Sequence, residues 1–448
     1  MDSSLPIRKQ VPDYWKWFTE GRYGLFIHWG PYAQYGKGEQ VVFREHMDMK
    51  QYENEACLWN PAHFDAKLWA RTAKEAGMKY AVFSTRHHDG YCLWDTAYTD
   101  YSSARQAPKR DFVREFIDAF RAEGLAVGLY YSWLDWRLPA FMEGPEKNPS
   151  GWAVVKKYLF NQVAELLTNY GVIDYLWFDG TYPRSKDLAD IEIYETIKKL
   201  QPHILLNSSL EVKKTASEEE AGQGMTHGHV IICENRITPE PNRLWECCQV
   251  STWRLWGYAA GERWRSADQL LDILCNCAVS GGYGGGNLLL NVGPDAEGQF
   301  PPEFIERVTE IGKWLKIHGE ALYGTDGGDV TDFLTCGYQT TQDNILYLFF
   351  RFWDGNMELR LPELLSQVKK VTFLTTGREL DFEKNGSDLI IKGLPKASPT
   401  NLFPVIKVEC DGRPEATEWG RQRVWSGDPQ RIADWARLRG ESVFAGGK

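Results

Sequence analysis

Positive charge and long apolar runs are the two features that this sequence has least of. Its 448 residues include 51 Lys and Arg against 61 Asp and Glu, which gives a formal net charge of −10. A nucleic acid or an anionic membrane surface would require a basic face. A membrane-spanning helix would require about 20 consecutive apolar residues, and the sequence has no such run. We therefore expect neither a nucleic acid nor a membrane as a partner.

Cysteine is also sparse, and its spacing fits neither a zinc site nor a disulfide framework. The nine cysteines are an odd number, and several lie inside apolar runs where a buried thiol is the usual state. The first residues carry no apolar segment of the kind found in secretory leaders. These features predict a protein of the reducing cytoplasm, although a secreted form whose leader has been removed would fit the same residues.

Aromatic residues, in contrast, are abundant, with 19 Trp, 21 Tyr and 21 Phe. Sugars present apolar C–H faces that aromatic rings cover well, so this composition favours carbohydrate binding. A large core that simply uses many aromatic side chains would have the same composition. The oligomeric state is left open by the sequence, and a homo-oligomer is one option.

Strand-like apolar segments alternate with helical patterns along the first three quarters of the chain. Such alternation is typical of βαβ units in a parallel sheet, and eight units predict a (β/α)8 TIM-like barrel. An open doubly wound sheet is the alternative, but no glycine-rich phosphate motif follows the first strand. The predicted strands are 23–30, 79–84, 125–132, 175–179, 204–207, 230–234, a less clear segment around 253–258, and 287–291.

The pattern changes after Gly324, where short strand-like segments follow one another without a helical period. Asp354-Gly355 and Asn385-Gly386 lie between such segments and have the composition of hairpin turns. We therefore predict a catalytic barrel over 1–325 and a C-terminal antiparallel β-sandwich over 326–412. A polar tail over 413–448 would follow, with a short helix that begins near Asp428.

One carboxylate ends the strand-like run Tyr-Leu-Trp-Phe-Asp at Asp179. In a barrel of this type the carboxyl ends of the strands carry the chemistry. Hydrolysis of a glycoside normally uses two carboxylates that flank the bond to be cleaved. Asp179 is therefore a candidate nucleophile or acid, and the alternative is that it only caps a helix or loop.

The second carboxylate is expected from a neighbouring strand end. Glu234 closes one apolar run and Glu246 follows another, and an apolar approach would keep either acid protonated near neutral pH. Salt bridges to Arg236, Arg243 or Arg254 are the alternative explanation for both glutamates.

Three histidines, His28, His87 and His88, also follow strand-like runs. Neutral imidazoles at a barrel mouth would hydrogen-bond sugar hydroxyl groups. A zinc or iron site built on His87, His88 and Asp89 with His28 is one alternative, weakened because adjacent side chains of an extended strand point to opposite sides. Histidines buried in the core are another.

A set of motifs, taken together, resembles the α-L-fucosidases of glycoside hydrolase family 29. The resemblance covers about residues 14 to 325, in the same order along the chain. The motifs are Ile27-His-Trp-Gly30, His87-His-Asp-Gly90 with Cys92-Leu-Trp94, Pro108-Lys-Arg-Asp111, Gly128-Leu-Tyr-Tyr-Ser132, Trp177-Phe-Asp-Gly180, Gly286-Asn-Leu-Leu-Leu-Asn-Val-Gly-Pro294, Gly312-Lys-Trp-Leu315 and Gly319-Glu-Ala-Leu-Tyr-Gly324.

The resemblance implies a barrel followed by a β-sandwich, and a retaining double displacement on a fucosylated oligosaccharide or glycoconjugate without a metal or organic cofactor. It implies that Asp179 is the nucleophile. The acid/base varies in position across the family, and we expect Glu234 first and Glu246 second. The implied substrate contacts are His28, His87, His88, Tyr130 and Trp177. Trp29, Trp94 or Trp256 would supply an apolar surface for the fucose methyl group.

The chain departs from the family pattern at two places. Gly-Glu-Gln ends at Gln40 where many members have Gly-Glu-Trp, although the glutamate, Glu39, is kept as a substrate contact. Asn207-Ser-Ser-Leu210 replaces Asn-Asp-Arg-Trp, and Arg236 or Arg254 would have to substitute for the missing arginine. These departures suggest a branch that favours α-1,3/1,4 linkages. The alternative functions are a related exo-glycosidase for an α-galactoside-like sugar, a catalytically silent sugar-binding protein and a metal-dependent hydrolase.

Overall fold

The computed structural model describes residues 7–182, 184–188, 191–209, 229–239, 243–280, 285–327, 330–331 and 336–417. The chain divides into two compact units, residues 1–316 and 317–448. The predicted short helix near Asp428 lies outside the described residues. No helix in these ranges combines the length and apolar character that crossing a bilayer requires.

Eight parallel strands form the first unit. They are β1 (Tyr23–Ile27), β2 (Tyr80–Arg86), β3 (Ala126–Ser132), β4 (Tyr175–Asp179), β5 (Leu205–Leu206), β6 (Val230–Glu234), β7 (Leu244–Val250) and β8 (Asn287–Val292). Their order is β5-β4-β3-β2-β1-β8-β7-β6. A parallel bridge between Asn207 and Val230 joins the two end strands. The sheet thus closes into a barrel, which confirms the predicted fold class.

Helices follow most of the strands, and short polar side chains begin several of them. Asp65 and Asp111 each accept hydrogen bonds from backbone N–H groups of the first helical turn. Gly77, with a φ of 87°, follows the end of α4 (Ala66–Glu75) in the left-handed conformation that glycine favours. The helices are α1 (Lys16–Thr19), α2 (Val41–Arg44), α3 (Met49–Ala56), α4 (Ala66–Glu75), α5 (Phe112–Ala122), α6 (Pro139–Lys147), α7 (Pro149–Asn169), α8 (Ser185–Leu188), α9 (Ile191–Leu200), α10 (Ala267–Val279) and α11 (Pro302–His318).

Aromatic side chains fill much of the barrel interior. Phe26, Tyr80, Tyr130, Tyr175 and Trp177 belong to one buried cluster, contributed by β1 to β4. Because alternate residues of a strand point inward, these rings stack in layers below the mouth of the barrel. Part of the aromatic excess therefore belongs to the core.

The prediction of the seventh strand was wrong. Strand β7 is Leu244–Val250, and all seven of its residues are buried. The charged Glu246 and the polar Gln249 interrupt its apolar pattern, so the sequence did not read as a strand. The segment predicted instead, 253–258, belongs to the loop that follows β7 and carries Trp256.

Two antiparallel sheets form the second unit. The larger has the order β14-β13-β17-β11-β10-β9 and the smaller the order β12-β16-β15. Both sheets contribute to one buried core, as Leu348 and Val408 do from the larger and Leu361 and Ile391 from the smaller, which makes the unit a β-sandwich. The strands are β9 (Asp326–Gly327), β10 (Gly337–Gln342), β11 (Ile345–Phe350), β12 (Glu358–Leu361), β13 (Val368–Phe373), β14 (Arg378–Glu379), β15 (Phe382–Asn385), β16 (Asp388–Lys392) and β17 (Val405–Cys410).

The two predicted hairpin turns have different outcomes. Asn385-Gly386 connects the antiparallel pair β15 and β16, as predicted. Asp354-Gly355 instead joins β11 to β12, which belong to different sheets, so the hairpin prediction there was wrong. The same turn composition serves a sheet-to-sheet crossing, because local sequence sets the turn and not the partner of the next strand.

Candidate active site

Asp179 is the last residue of β4 and lies at the carboxyl end of the barrel. Its Oδ2 accepts a hydrogen bond of 2.7 Å from the hydroxyl of Tyr130 on the neighbouring strand β3. Burial and the nearby charge of Asp179 raise the pKa of Tyr130, so this hydroxyl stays protonated and remains a donor. The side chain of Asp179 is 42% exposed, which leaves the carboxylate open to a ligand.

Gly180 fixes the direction of the Asp179 carboxylate. Its backbone N–H donates to Oδ1 of Asp179 at 2.6 Å. Its φ is 67°, and an added Cβ would lie 2.7 Å from Oγ of Ser132 and 2.8 Å from Cβ of Leu134. Only glycine fits this left-handed position against the end of β3.

His88 faces the same carboxylate. Its Nε2 lies 3.6 Å from Oδ2 of Asp179, and its Nδ1 lies 2.7 Å from Oγ of Ser132. The Ser132 hydroxyl donates to the carbonyl of Leu134, so Nδ1 of His88 carries the proton and donates to Ser132. Burial lowers the pKa of His88 although Asp179 opposes the effect. The ring therefore presents a neutral Nε2 acceptor beside Asp179.

His28 is held in one tautomer by Asn291 on β8. The Nδ1 atom of His28 lies 2.7 Å from Oδ1 of Asn291. The amide of Asn291 donates to the carbonyl of Trp256 at 2.7 Å, so its oxygen faces the imidazole and Nδ1 of His28 is the donor. Burial lowers the pKa of His28 to about 4, which keeps the ring neutral. The sequence motif contained Asn291 but did not predict this role.

Glu39 completes a chain of hydrogen bonds from Asn291 through the 256–257 loop. Its Oε2 accepts from the backbone N–H groups of Trp256 at 3.0 Å and Gly257 at 2.8 Å. The residue is 1% exposed, and its Oε1 has no hydrogen-bond partner among the described residues. A buried carboxylate oxygen without a donor is costly, so Oε1 is available for a ligand hydroxyl.

His87 lies between the two other histidines. Its ring stacks on Tyr130 at 5.7 Å between centroids and meets His28 at 5.6 Å. Burial and the two neighbouring imidazoles lower the pKa of His87, and its Nδ1 has no partner in the described parts of the chain. Donor atoms of His87, His88 and Asp179 lie within 4.8 Å of one another, an arrangement that a metal ion could also use.

Two aromatic side chains surround the histidines. Trp177 stacks on Tyr130 with 5.6 Å between centroids, and the half-buried Trp256 lies 5.3 Å from His28. Both rings also contact Phe26 of β1. The structure therefore brings together most of the predicted residues, namely Asp179, His28, His87, His88, Tyr130, Trp177, Trp256 and Glu39.

Glu234 ends β6 and is exposed at the mouth of the barrel. Partial desolvation, followed by the negative charge of Asp179, raises its pKa. Trp256 and Glu39 also act on the pKa of Glu234, in opposite directions. Glu234 thus shares an electrostatic environment with Asp179, as an acid paired with a carboxylate requires.

A buried ion-pair network supports the His87–His88 loop, and sequence reasoning missed it. Arg86 and Asp135 are fully buried and pair at 2.6 Å, and Arg137 joins Asp135 at 2.7 Å. An added Cβ on Gly90 would lie 2.5 Å from the Asp135 carboxylate, which shows how closely the loop packs on this network. Removing one partner of such a pair typically costs about 3–5 kcal/mol.

Trp29 was predicted as a pocket residue, and the structure places it elsewhere. It is 1% exposed and packs on Trp59, Phe64 and Trp69 at centroid distances of 4.7–5.2 Å. His28 points into the barrel, so the next residue points outward to the helices. Trp29 therefore supports the core and does not meet a ligand.

Arg254 is also not brought to this cluster. Its exposed side chain pairs with Glu262 at 2.7 Å, in the loop after β7. This is the salt bridge that an exposed arginine on a loop usually makes. No contact between Arg254 and the histidines or Asp179 occurs among the described residues.

Glu246, the second choice for the acid/base, lies inside the barrel and not at its mouth. It is the third residue of β7, has no exposed surface, and accepts hydrogen bonds from the hydroxyls of Tyr80 and Tyr175. Burial raises its pKa to about 7. A carboxyl enclosed at this depth cannot reach a leaving group.

We expect Glu246→Gln to change how stability depends on pH. The ordinary pKa of a glutamate is 4.5, and the pKa of Glu246 in the folded protein is about 7. Between these two pH values the folded protein retains a proton on Glu246 that the unfolded chain loses. This contribution to the free energy of unfolding is therefore present below pH 4.5 and lost as pH rises, by roughly 3 kcal/mol in total. Denaturant unfolding should show that the free energy of unfolding falls less between pH 5 and pH 8 in the variant than in the wild type.

Glu303→Gln, at an exposed position on α11, is the matched control for that measurement. It should lose stability between pH 5 and pH 8 as the wild type does. A Glu246→Gln protein with the same pH dependence as this control would contradict the assignment of a buried, protonated carboxyl.

Comparison with known proteins gives a consistent result. The sequence model of the α-L-fucosidase family matches residues 7–320. The tissue α-L-fucosidase of Rattus norvegicus is 28% identical over 415 residues, which cover 87% of this chain and 87% of that protein. The extent of both matches confirms the resemblance that the motifs indicated.

Two solved structures are similar over nearly the whole chain. The α-L-fucosidase isoenzyme 1 from Paenibacillus thiaminolyticus has a TM-score of 0.79 at 32% identity, covering 90% of this chain and 100% of that one. A family 29 α-L-fucosidase from Bacteroides thetaiotaomicron, solved as a covalent intermediate trapped with 2-fluoro-fucosyl fluoride, has a TM-score of 0.79 at 28% identity and covers 89% of this chain and 96% of that one. With its sequence match, its closed barrel and its β-sandwich, this chain belongs to the α-L-fucosidases of glycoside hydrolase family 29.

Proposed function

We propose that this protein removes terminal α-L-fucose from glycans with retention of configuration, with Asp179 as nucleophile and Glu234 as acid/base. The observation that carries the proposal is the accessible Asp179 carboxylate, fixed by Tyr130 and Gly180 and coupled electrostatically to Glu234. The trapped covalent intermediate of the Bacteroides thetaiotaomicron fucosidase supports a double displacement.

In the first step, the Asp179 carboxylate attacks the anomeric carbon while Glu234 gives its proton to the departing oxygen. The fucosyl ester then reacts with a water molecule that Glu234 deprotonates, and fucose leaves with its original configuration. A retaining mechanism of this kind requires the two carboxyl groups to be about 5–5.5 Å apart. No step requires a metal ion or an organic cofactor.

The coupling between the two carboxyl groups favours both roles of Glu234. While Asp179 is ionised, its charge raises the pKa of Glu234, so this acid holds the proton that it must donate. Once Asp179 has become an ester, that charge is gone and the pKa of Glu234 falls. The same residue is then better suited to accept a proton from water.

The neutral histidines would recognise the hydroxyl groups of fucose. His28 and His88 each donate from Nδ1 to the protein, at Asn291 and Ser132, which leaves Nε2 as an acceptor for a sugar hydroxyl. The Oε1 atom of Glu39, which no donor among the described residues reaches, would accept another hydroxyl. We further propose a preference for α-1,3/1,4 linkages, which rests on the two departures from the family motifs at Gln40 and Leu210.

A labelling experiment tests the proposed nucleophile. We expect 2-deoxy-2-fluoro-α-L-fucosyl fluoride to inactivate the protein and to add one fluorofucosyl group, found by peptide mass spectrometry on Asp179. A label on any other carboxylate would overturn the assignment.

Treatment with EDTA tests whether a metal ion takes part. Activity, inactivation and the site of the label should be the same before and after this treatment. Loss of activity that returns with added metal would instead favour an ion held by His87, His88 and Asp179.

A further inference from the structure

An exposed aromatic pair lies on the rim of the barrel, beside the candidate active site. Phe43 on α2 is 68% exposed. It stacks on Trp136 with 6.5 Å between centroids and an angle of 23° between the ring planes. Trp136 is only half-buried, so the two near-parallel rings present a shared apolar surface to solvent.

Three loops hold this pair next to the sugar-binding histidines. Trp136 donates its backbone N–H to the carbonyl of His88 at 2.9 Å, and its ring lies 5.5 Å from the imidazole. Helix α2, which carries Phe43, begins two residues after Glu39. The loops after β1, β2 and β3 therefore meet at the rim. His88 lies between the aromatic pair on its outer side and Asp179 on its inner side.

The pair is poorly explained as part of the core. Phe43 leaves most of its ring in water, and the apolar area that remains exposed has no use in folding. An aromatic surface beside a sugar pocket suits the C–H face of a second pyranose ring. A fucose that occupies the space between His28, His88 and Asp179 would carry its leaving group out over the rim.

We propose that Phe43 and Trp136 form a leaving-group subsite, which binds the apolar face of the pyranose ring that is joined to fucose. The inference rests on the proposed fucosidase function and adds the class of leaving group. Because the pair lies away from the reacting atoms, it binds substrate and transition state alike and acts mainly on KM.

The test compares two substrates that differ only in their leaving group. Fucosyl fluoride has no second sugar, whereas a fucosylated disaccharide has one. We expect Phe43→Ala to lower the ratio of kcat/KM for the disaccharide to kcat/KM for the fluoride by about tenfold, from the loss of one buried ring, and mainly through KM. Phe43→Trp, which restores a ring, should bring the ratio back toward that of the wild type.

Phe352→Ala is the matched control, since Phe352 is 62% exposed and lies in the second unit. Its ratio should equal that of the wild type. A ratio in both Phe43→Ala and Trp136→Ala within twofold of the wild-type ratio would overturn the subsite. A wild-type protein that cleaves neither substrate would instead refute the proposed function, so the two failures are distinguishable.

Discussion

Asp179→Ala should lower kcat by at least about a thousandfold, because the proposed nucleophile is gone while the binding groups remain. The hydroxyl of Tyr130 and the N–H of Gly180 would remain as hydrogen-bond donors around the space that the carboxylate leaves. A small anion that enters this space can attack the anomeric carbon in place of the carboxylate. Azide should therefore restore turnover of an activated aryl fucoside.

The product identifies the role. A single displacement by azide inverts the anomeric centre, so the rescued Asp179→Ala reaction should give β-fucosyl azide, which NMR distinguishes from the α anomer. Asp118→Ala, at an exposed position on α5, is the control and should retain wild-type activity without azide dependence. Residual activity above about a tenth of wild type, or an α-azide product, would contradict the assignment of the nucleophile.

Glu234→Ala should have an effect that depends on the leaving group. Proton donation matters most when the departing oxygen is basic, so kcat/KM for a fucosyl oligosaccharide should fall by about 10²–10⁴-fold. Cleavage of fucosyl fluoride depends less on proton donation, so its kcat/KM should fall far less. Azide should accelerate release of the trapped fucosyl enzyme and give α-fucosyl azide, after two inversions.

The pH profile provides an independent reading of Glu234. As the proposed acid, Glu234 must be protonated in the free enzyme. Desolvation together with Asp179 raises its pKa, so the alkaline limb of kcat/KM should lie above the range of an ordinary glutamate. That limb should disappear in Glu234→Ala. Glu246→Gln is the comparison, because it removes the other sequence candidate from a buried position without touching the mouth. If Glu246→Gln, and not Glu234→Ala, showed this dependence on the leaving group, Glu246 would be the acid/base.

The sequence predicted the barrel well because strand ends and helix ends leave local patterns. Asp179, His28 and His88 each end an apolar run, and the carboxyl ends of parallel strands meet at one edge. The prediction that Trp29 lines the pocket was wrong for a related reason. The resemblance grouped Trp29 with His28, whereas adjacent residues of a strand point to opposite sides. Periodicity within the motif itself would have separated the two.

Contacts between distant segments were beyond reach of the sequence. Asp135 is 49 residues from Arg86, and nothing local indicates that the two form a buried pair under the histidine loop. Glu246 reads as a strand-end acid until β7 is placed correctly, because Glu246 lies four residues before the end of that strand at Val250. Each of these depends on which strands pair and in which register, and these are properties of the closed sheet.

The chain of hydrogen bonds from Asn291 to Glu39 means that His28 and Glu39, the proposed fucose contacts, do not act independently. Asn291 orients His28 on one side and donates to the carbonyl of Trp256 on the other, and the same peptide unit donates its Gly257 N–H to Glu39. In a double-mutant cycle, changes at positions 39 and 291 should therefore be non-additive. Specificity in this protein would have to be redesigned by exchanging these positions as a group.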